Sequence, residues 1–263
     1  MNPAVCFAIL TWVLIHQGSA QLMDENCGRV THYKGEVITD SPWMALVVMP
    51  NKSCSGALIH RQFVITSATC VLNHGQATVR LGDFKSLQLR NISNHYPLST
   101  YIVQTIFINK LYDRSNYNHD IALLKLKEEV LYKAHIRPIC IWLNNRNPTE
   151  LKELREFKTT RWDLNQNISD PEIKKIPHLN PIECENALNI STKSSQICAG
   201  YKNDSICEEP GSPLIWKILY FKKRRSGLLG VQSYGVSGTC LYTDIMSYID
   251  WILGIVFDVE IIV

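Results

Sequence analysis

Nine cysteines constrain this chain more than any other feature. The first, Cys6, lies in an apolar run from Ala4 to Ile15, which is followed by the small residues Gly18-Ser19-Ala20. Roughly a dozen apolar residues are too few to span a bilayer. The small residues suit signal peptidase, so 1–20 is expected to be a secretory leader cut after Ala20, although no basic residue precedes the apolar run. Cleavage removes Cys6 and leaves Cys27, Cys54, Cys70, Cys140, Cys184, Cys198, Cys207 and Cys240. An even set in an exported chain implies four disulfides. Eight thiols allow roughly a hundred pairings, so spacing alone does not choose among them.

With 263 residues and 46% hydrophobic content, the chain can fill one large all-β domain or two modest lobes. Its 19% charged residues exclude a disordered chain. A net charge of +3 is too small to argue for nucleic acid. No phosphate loop or metal-ligand cluster is visible, so neither a cofactor nor a metal is expected. Ile252 to Phe257 is apolar, but Asp258 and Glu260 interrupt it, and no transmembrane segment is expected. Sequons begin at Asn51, Asn91, Asn167, Asn189 and Asn203, each the mark of a surface loop and a glycosylation candidate.

Short apolar runs of strand length dominate after residue 40. They are Trp43 to Met49, Phe63 to Thr66, Thr78 to Leu81, Tyr101 to Ile108, Ile121 to Leu126, Leu214 to Phe221 and Leu228 to Tyr234. A helical period stands out only at Ile245, Ile249, Ile252 and Leu253. The polar stretch Asn144 to Asn167 is the expected linker between two halves. Lys222 to Gly227 is expected to be a hairpin loop carrying the basic run Lys222-Lys223-Arg224-Arg225. Many short strands with one terminal helix suggest barrels or sandwiches.

Several motifs in a fixed order narrow this further. They are Ser41-Pro42-Trp43-Met44-Ala45, Cys54-Ser55-Gly56-Ala57-Leu58, and Phe63 to Cys70 ending in Ser67-Ala68-Thr69-Cys70. Next come Val79-Arg80-Leu81-Gly82-Asp83, Asp120-Ile121-Ala122-Leu123-Leu124 and Arg137-Pro138-Ile139-Cys140. The series ends with Gln196-Ile197-Cys198-Ala199-Gly200, Ser233-Tyr234-Gly235 and Tyr248-Ile249-Asp250-Trp251. Over about residues 27–254 this series resembles the chymotrypsin-like (trypsin family) serine proteases, and especially the insect non-catalytic serine protease homologues. The resemblance implies an all-β fold of two six-stranded antiparallel Greek-key barrels with a C-terminal helix. Barrel one would cover about 30–142 and barrel two about 155–254, within a domain spanning 30–263. It also implies the pairs Cys27–Cys140, Cys54–Cys70, Cys184–Cys198 and Cys207–Cys240. The first pair would tether the short segment 21–29.

Catalysis in that family needs a serine nucleophile, a histidine base and an orienting aspartate. The base belongs directly before the cysteine, where Thr69 stands; a threonine hydroxyl accepts no proton near neutral pH. His74 is expected to be a solvated loop residue. The aspartate survives as Asp120, with Ser233 at the family's supporting serine. The nucleophile loop is one residue short at Cys207-Glu208-Glu209-Pro210-Gly211-Ser212-Pro213. Counting from Cys207 puts Gly211 at the nucleophile position, and counting back from Pro213 puts Pro210 there. Neither has a hydroxyl, and Pro210 has no N–H for an anion hole. Ser205 matches the pocket base, with Asp204 beside it, and Ser233 and Gly235 match the pocket wall. The chain after Cys240 is shortened. Thr160-Arg161-Trp162-Asp163 lacks two glycines of the usual turn. Arg29-Val30 matches the activation bond, with Glu209 as the carboxylate that a freed N-terminus would need.

The vestigial triad is therefore Thr69, Asp120 and Pro210 or Gly211. The expected function is a secreted, inactive protease homologue that binds extracellular proteins, proteases or their substrates among them, as a cofactor, decoy or regulator. One alternative is an active serine endopeptidase with a displaced nucleophile. The other is a surface- or glycan-binding protein in which Lys222, Lys223, Arg224 and Arg225 meet an acidic partner.

Overall fold

The computed structural model describes residues 22–33, 36–73, 75–82, 98–143, 156–162, 171–200, 207, 209–236 and 238–259. The expected leader with Cys6, His74, Asp83, Asn91, Asp163, Asn167, Asn203, Asp204, Ser205 and Glu208 lie outside the described residues.

A small hairpin, β1 (Thr31–Tyr33) with β2 (Glu36–Thr39), precedes the first barrel. That barrel is formed by β3 (Met44–Met49), β4 (Lys52–His60), β5 (Phe63–Thr66), β6 (Thr78–Leu81), β7 (Ser99–Ile108) and β8 (Ala122–Leu126). It closes in the order β3-β4-β5-β8-β7-β6. A four-residue helix, α1 (Ala68–Val71), follows β5. The second sheet contains β9 (Glu156–Arg161), β10 (Glu172–Pro177), β11 (Gln196–Gly200), β12 (Pro213–Tyr220), β13 (Lys223–Val236) and β14 (Thr239–Asp244). Its order is β10-β9-β12-β13-β14-β11, and it curls until His178 beyond one edge bridges to Ala199 on the other. Helix α2 (Pro181–Leu188) precedes β11, and a 3-10 turn, Ile245–Tyr248, leads into α3 (Ile249–Phe257).

Strand β3 shows why these runs are apolar on both faces. Ala45, Val47 and Met49 fill the first barrel, with Val79, Leu81, Val64 and Leu124. The alternate residues Met44 and Leu46 face outward into a second core. There they meet Ile215, Val231, Trp162 and the α3 residues Ile249 and Ile252. Alternation along a strand sends neighbours to opposite faces. Here both faces are buried, because the outward face of β3 shares a core with β12, β13 and α3.

Some elements differ from the sequence expectation. The stretch 144–167 contains β9, whose Phe157 and Thr159 are buried while Lys158 is exposed, so it is not a linker throughout. Helix α2 was not expected. Asn180 caps it through Ile182 N–H, Glu183 returns a bond to Asn180 N–H, and Pro181 sits at the first helical position.

The four disulfides join Cys27 to Cys140, Cys54 to Cys70, Cys184 to Cys198 and Cys207 to Cys240, as the resemblance implies. Among the described residues, no helix is long and apolar enough to cross a membrane.

Candidate functional site: Asp120 and its hydroxyl partners

Asp120 sits just before β8 and is fully buried. Its backbone is pinned to the second barrel, because Thr243 Oγ1 donates to the Asp120 carbonyl at 2.8 Å. Its carboxylate accepts from Thr69 N–H and from Thr69 Oγ1–H, both at 2.7 Å. Ser233 Oγ also donates to Oδ2. A bulge between Gln232 and Tyr234 in the β13–β14 pairing presents this serine. Burial raises the Asp120 carboxyl above its ordinary range, against the pull of the bonds from Ser233 and Thr69.

Thr69 is held from several sides. Ser67 caps α1 by accepting from Cys70 N–H, and the Cys54–Cys70 disulfide ties that turn to β4. Because Thr69 Oγ1 donates to Asp120, the Tyr112 hydroxyl, 2.8 Å away, donates to Thr69. The result is a chain of hydroxyls, Tyr112 to Thr69 to Asp120. Burial raises the Tyr112 phenol, so it stays protonated and able to donate. Lys52 Nζ donates to the Thr69 carbonyl at 3.0 Å. Burial, and then repulsion from Arg114, lowers the Lys52 ammonium pKa, while Asp120 opposes the shift.

The turn leading into β12 is packed against β4 and β13. Ser55 N–H donates to the Pro210 carbonyl at 3.1 Å. Gly211 N–H donates inward to the Gln232 carbonyl at 2.8 Å, and Ser212 N–H donates to the Glu209 carbonyl at 3.2 Å. Gly211 has φ +88, and a Cβ there would overlap the Ser55 carbonyl oxygen and Thr66 Oγ1. No side chain can project from that position. Ser212 is fully buried, and its hydroxyl faces the Glu209 carboxylate at 3.4 Å. The turn thus offers no outward N–H from Pro210, Gly211 or Ser212.

Of the expected pocket residues, Ser233 and Gly235 are described. Gly235 pairs with Cys240, and a Cβ at Gly235 would overlap the Cys207 Cβ. The segment before Asp120 lies across the neighbouring surface. Tyr117 stacks on Tyr234 with centroids 4.3 Å apart. Gln196 Nε2 donates to the Tyr117 carbonyl at 3.1 Å, and Tyr248 Oη pairs with His119 Nδ1 at 2.9 Å. Sequence reasoning missed Tyr112, Lys52, Tyr117 and Gln196, since no local motif places them beside Asp120.

Other expected sites are divided. Arg29 is exposed and reaches the Glu25 carbonyl at 3.4 Å, while Val30 is half-buried beside Trp43, Ile215 and Lys217. Asn51, in the β3–β4 turn, and Asn189, at the end of α2, are exposed. The basic run is not one loop. The tip between β12 and β13 is Phe221-Lys222, and Lys223, Arg224 and Arg225 begin β13. Arg225 is buried, donates to the Glu25 and Cys27 carbonyls, and lies 4.9 Å over the Tyr220 ring. Its charge anchors the N-terminal segment and is unavailable to a partner. Among the described residues, no group of His, Cys, Asp and Glu could hold a metal.

A closed barrel and a curled six-stranded sheet, with Asp120 and Ser233 facing each other where they meet, define a chymotrypsin-like protein. The Trypsin family model matches residues 32–252, and the chain belongs to that family. It is 28% identical over 264 residues to serine protease grass of Drosophila melanogaster, covering 87% of this chain and 70% of that one. It is 30% identical over 234 residues to mouse (Mus musculus) vitamin K-dependent protein C, covering 81% of this chain and 48% of that one. It is 29% identical over 178 residues to inactive serine protease scarface of Drosophila melanogaster, covering 66% of this chain and 26% of that one. The chain thus spans about half or less of two of these relatives. The crystal structure of the Drosophila Grass clip serine protease of the Toll pathway shares the fold, with TM-score 0.71 and 23% identity. That match covers 92% of this chain and 76% of that one.

Proposed function

We propose that this protein is a catalytically inactive member of the trypsin family, exported from the cell and acting by binding other proteins of extracellular proteolysis. The observation that carries this reading is the state of Asp120. Its acceptor positions are taken by Thr69 and Ser233, and Thr69 in turn is held by Tyr112. A general base needs a group that titrates near the working pH within reach of the nucleophile. A hydroxyl chain ending in a buried carboxyl supplies none. The lack of room for a side chain at Gly211 favours Pro210 at the nucleophile position, and neither residue carries a hydroxyl. The buried Ser212, facing Glu209, argues against a displaced nucleophile. The name of scarface carries the word inactive, so loss of catalysis has a named precedent in the family.

A fluorophosphonate probe tests the reading, because it phosphonylates an activated serine, with loss of fluoride. The protein, treated with a trypsin-like protease to cut any activation bond, should stay unlabelled and hydrolyse no short chromogenic peptide. Stoichiometric labelling of any serine would overturn the proposal.

A further inference from the structure

The tip of the β12–β13 hairpin has a conformation and a composition that packing does not account for. Tyr220 pairs with Lys223, so the turn has only two residues, Phe221 and Lys222. Both hold positive φ, +46 and +60. A two-residue hairpin with both φ positive is normally built from Asn-Gly or another pair that takes the left-handed region cheaply. A phenylalanine there is an outlier, and such strain persists where it serves a function.

Phe221 is also 82% exposed, and Leu219 is 68% exposed. Lys222, Lys223 and Arg224 surround them, all exposed, and no acidic residue among the described residues pairs with any of the three. The base of the hairpin is braced. Ile218 packs with Leu22, Cys27 and Cys140, with Tyr220 and Trp142 against the same cluster. Arg225 clamps the Tyr220 ring, and the Tyr220 ring meets Phe221 edge-on at 4.5 Å. The apolar tip is therefore a fixed projection collared by cations.

We propose that this hairpin is a docking prong for an anionic phospholipid surface, with Phe221 and Leu219 entering the headgroup boundary and Lys222, Lys223 and Arg224 meeting lipid phosphates and carboxylates. Interfacial binding combines buried apolar area with attraction to anionic lipid, and this tip supplies both within a few residues. A sulfated glycan would engage the cations but gain nothing from a bare phenylalanine and leucine. One short prong binds reversibly, since stable anchoring takes two signals. The proposal does not depend on the loss of catalysis.

The test is co-sedimentation of the whole secreted protein with phosphatidylcholine vesicles, with and without phosphatidylserine. Binding is expected only where phosphatidylserine is present, and it should weaken with salt. Phe221→Asn should lower partitioning by about tenfold or more through loss of apolar burial. The same substitution should keep or raise the melting temperature, because asparagine tolerates left-handed backbone. Lys222→Gln with Arg224→Gln should lower partitioning by about twenty-five-fold, at about fivefold per cation. Phosphatidylserine-dependent binding that Phe221→Asn leaves unchanged would overturn the proposal. So would equal binding to phosphatidylcholine alone, or retention on heparin with no vesicle binding.

Discussion

The rings of Tyr117 and Tyr234 lie stacked, 4.3 Å apart at their centroids and 5° from parallel. Tyr234 follows the serine that supports Asp120, and Tyr117 belongs to the segment that precedes it. The pair therefore joins the two barrels beside the triad region. Stacked aromatics contribute about 0.5–1.5 kcal/mol beyond their area. A double-mutant cycle of Tyr117→Leu and Tyr234→Leu, followed by denaturant unfolding, should return a coupling energy in that range. Additive effects would mean that the rings touch without stabilising each other.

Asp120 should give a pH signature. Its folded-state pKa is raised by burial above 3.8. A raised acid contributes stability that is fully present below its unfolded pKa and is lost as pH rises through the folded value. Relative to Asp120→Asn, the protein should therefore lose stability as pH climbs from about 3.8 into the raised range. Unfolding measured for both proteins across that window checks this. A difference that grows with pH would mean that the bonds from Thr69 and Ser233 outweigh burial.

Gly211→Ala should be severe. The backbone there is left-handed, at φ +88, and the added methyl would meet the Ser55 carbonyl rather than a side chain able to move aside. Strain plus overlap in a packed turn is expected to cost about 4 kcal/mol or more. Thermal unfolding should show a large drop or no folded protein, whereas a small shift would mean that the turn relaxes freely.

The basic run should split on mutation. Arg225→Gln removes a buried guanidinium that holds two carbonyls of the N-terminal segment, and should cost about 1–3 kcal/mol. Lys222→Gln at the exposed tip should stay within about 0.5 kcal/mol. Equal effects in denaturant unfolding would contradict the division between anchor and tip.

The same run shows where sequence reading stops. Four adjacent cations look alike in one dimension, but Arg225 meets carbonyls 198 and 200 residues away. Tyr112 is equally invisible, since it meets Thr69 across 43 residues. The barrels were legible because both faces of the strands are apolar and their motifs keep a fixed order. Strand β9 was hidden by its exposed charges, which alternate with Phe157 and Thr159. Helix α2 was hidden by its shortness, although Asn180, Pro181 and Glu183 signal its start.

Repair of the triad tests the functional reading most directly. Thr69→His places an imidazole next to Asp120, which has lost the threonine hydroxyl and regains a group to orient. It also breaks the bond to Tyr112, so a modest loss of stability, about 1–2 kcal/mol, is expected. No peptidase activity should appear, because the imidazole has no hydroxyl to deprotonate. Replacing Glu209 to Ser212 with Gly-Asp-Ser-Gly-Gly restores a serine and the missing residue, and frees the turn from a proline that lacks an N–H. Even the combined variant should turn over slowly. The chain after Cys240 is shortened, so a substrate chain is expected to be poorly seated, and misplacement by about 1 Å costs about a hundredfold. Hydrolysis of chromogenic peptides by the single and combined variants distinguishes the cases. Substantial activity from Thr69→His alone would require a working nucleophile already present in the chain, and the inactive reading would fall.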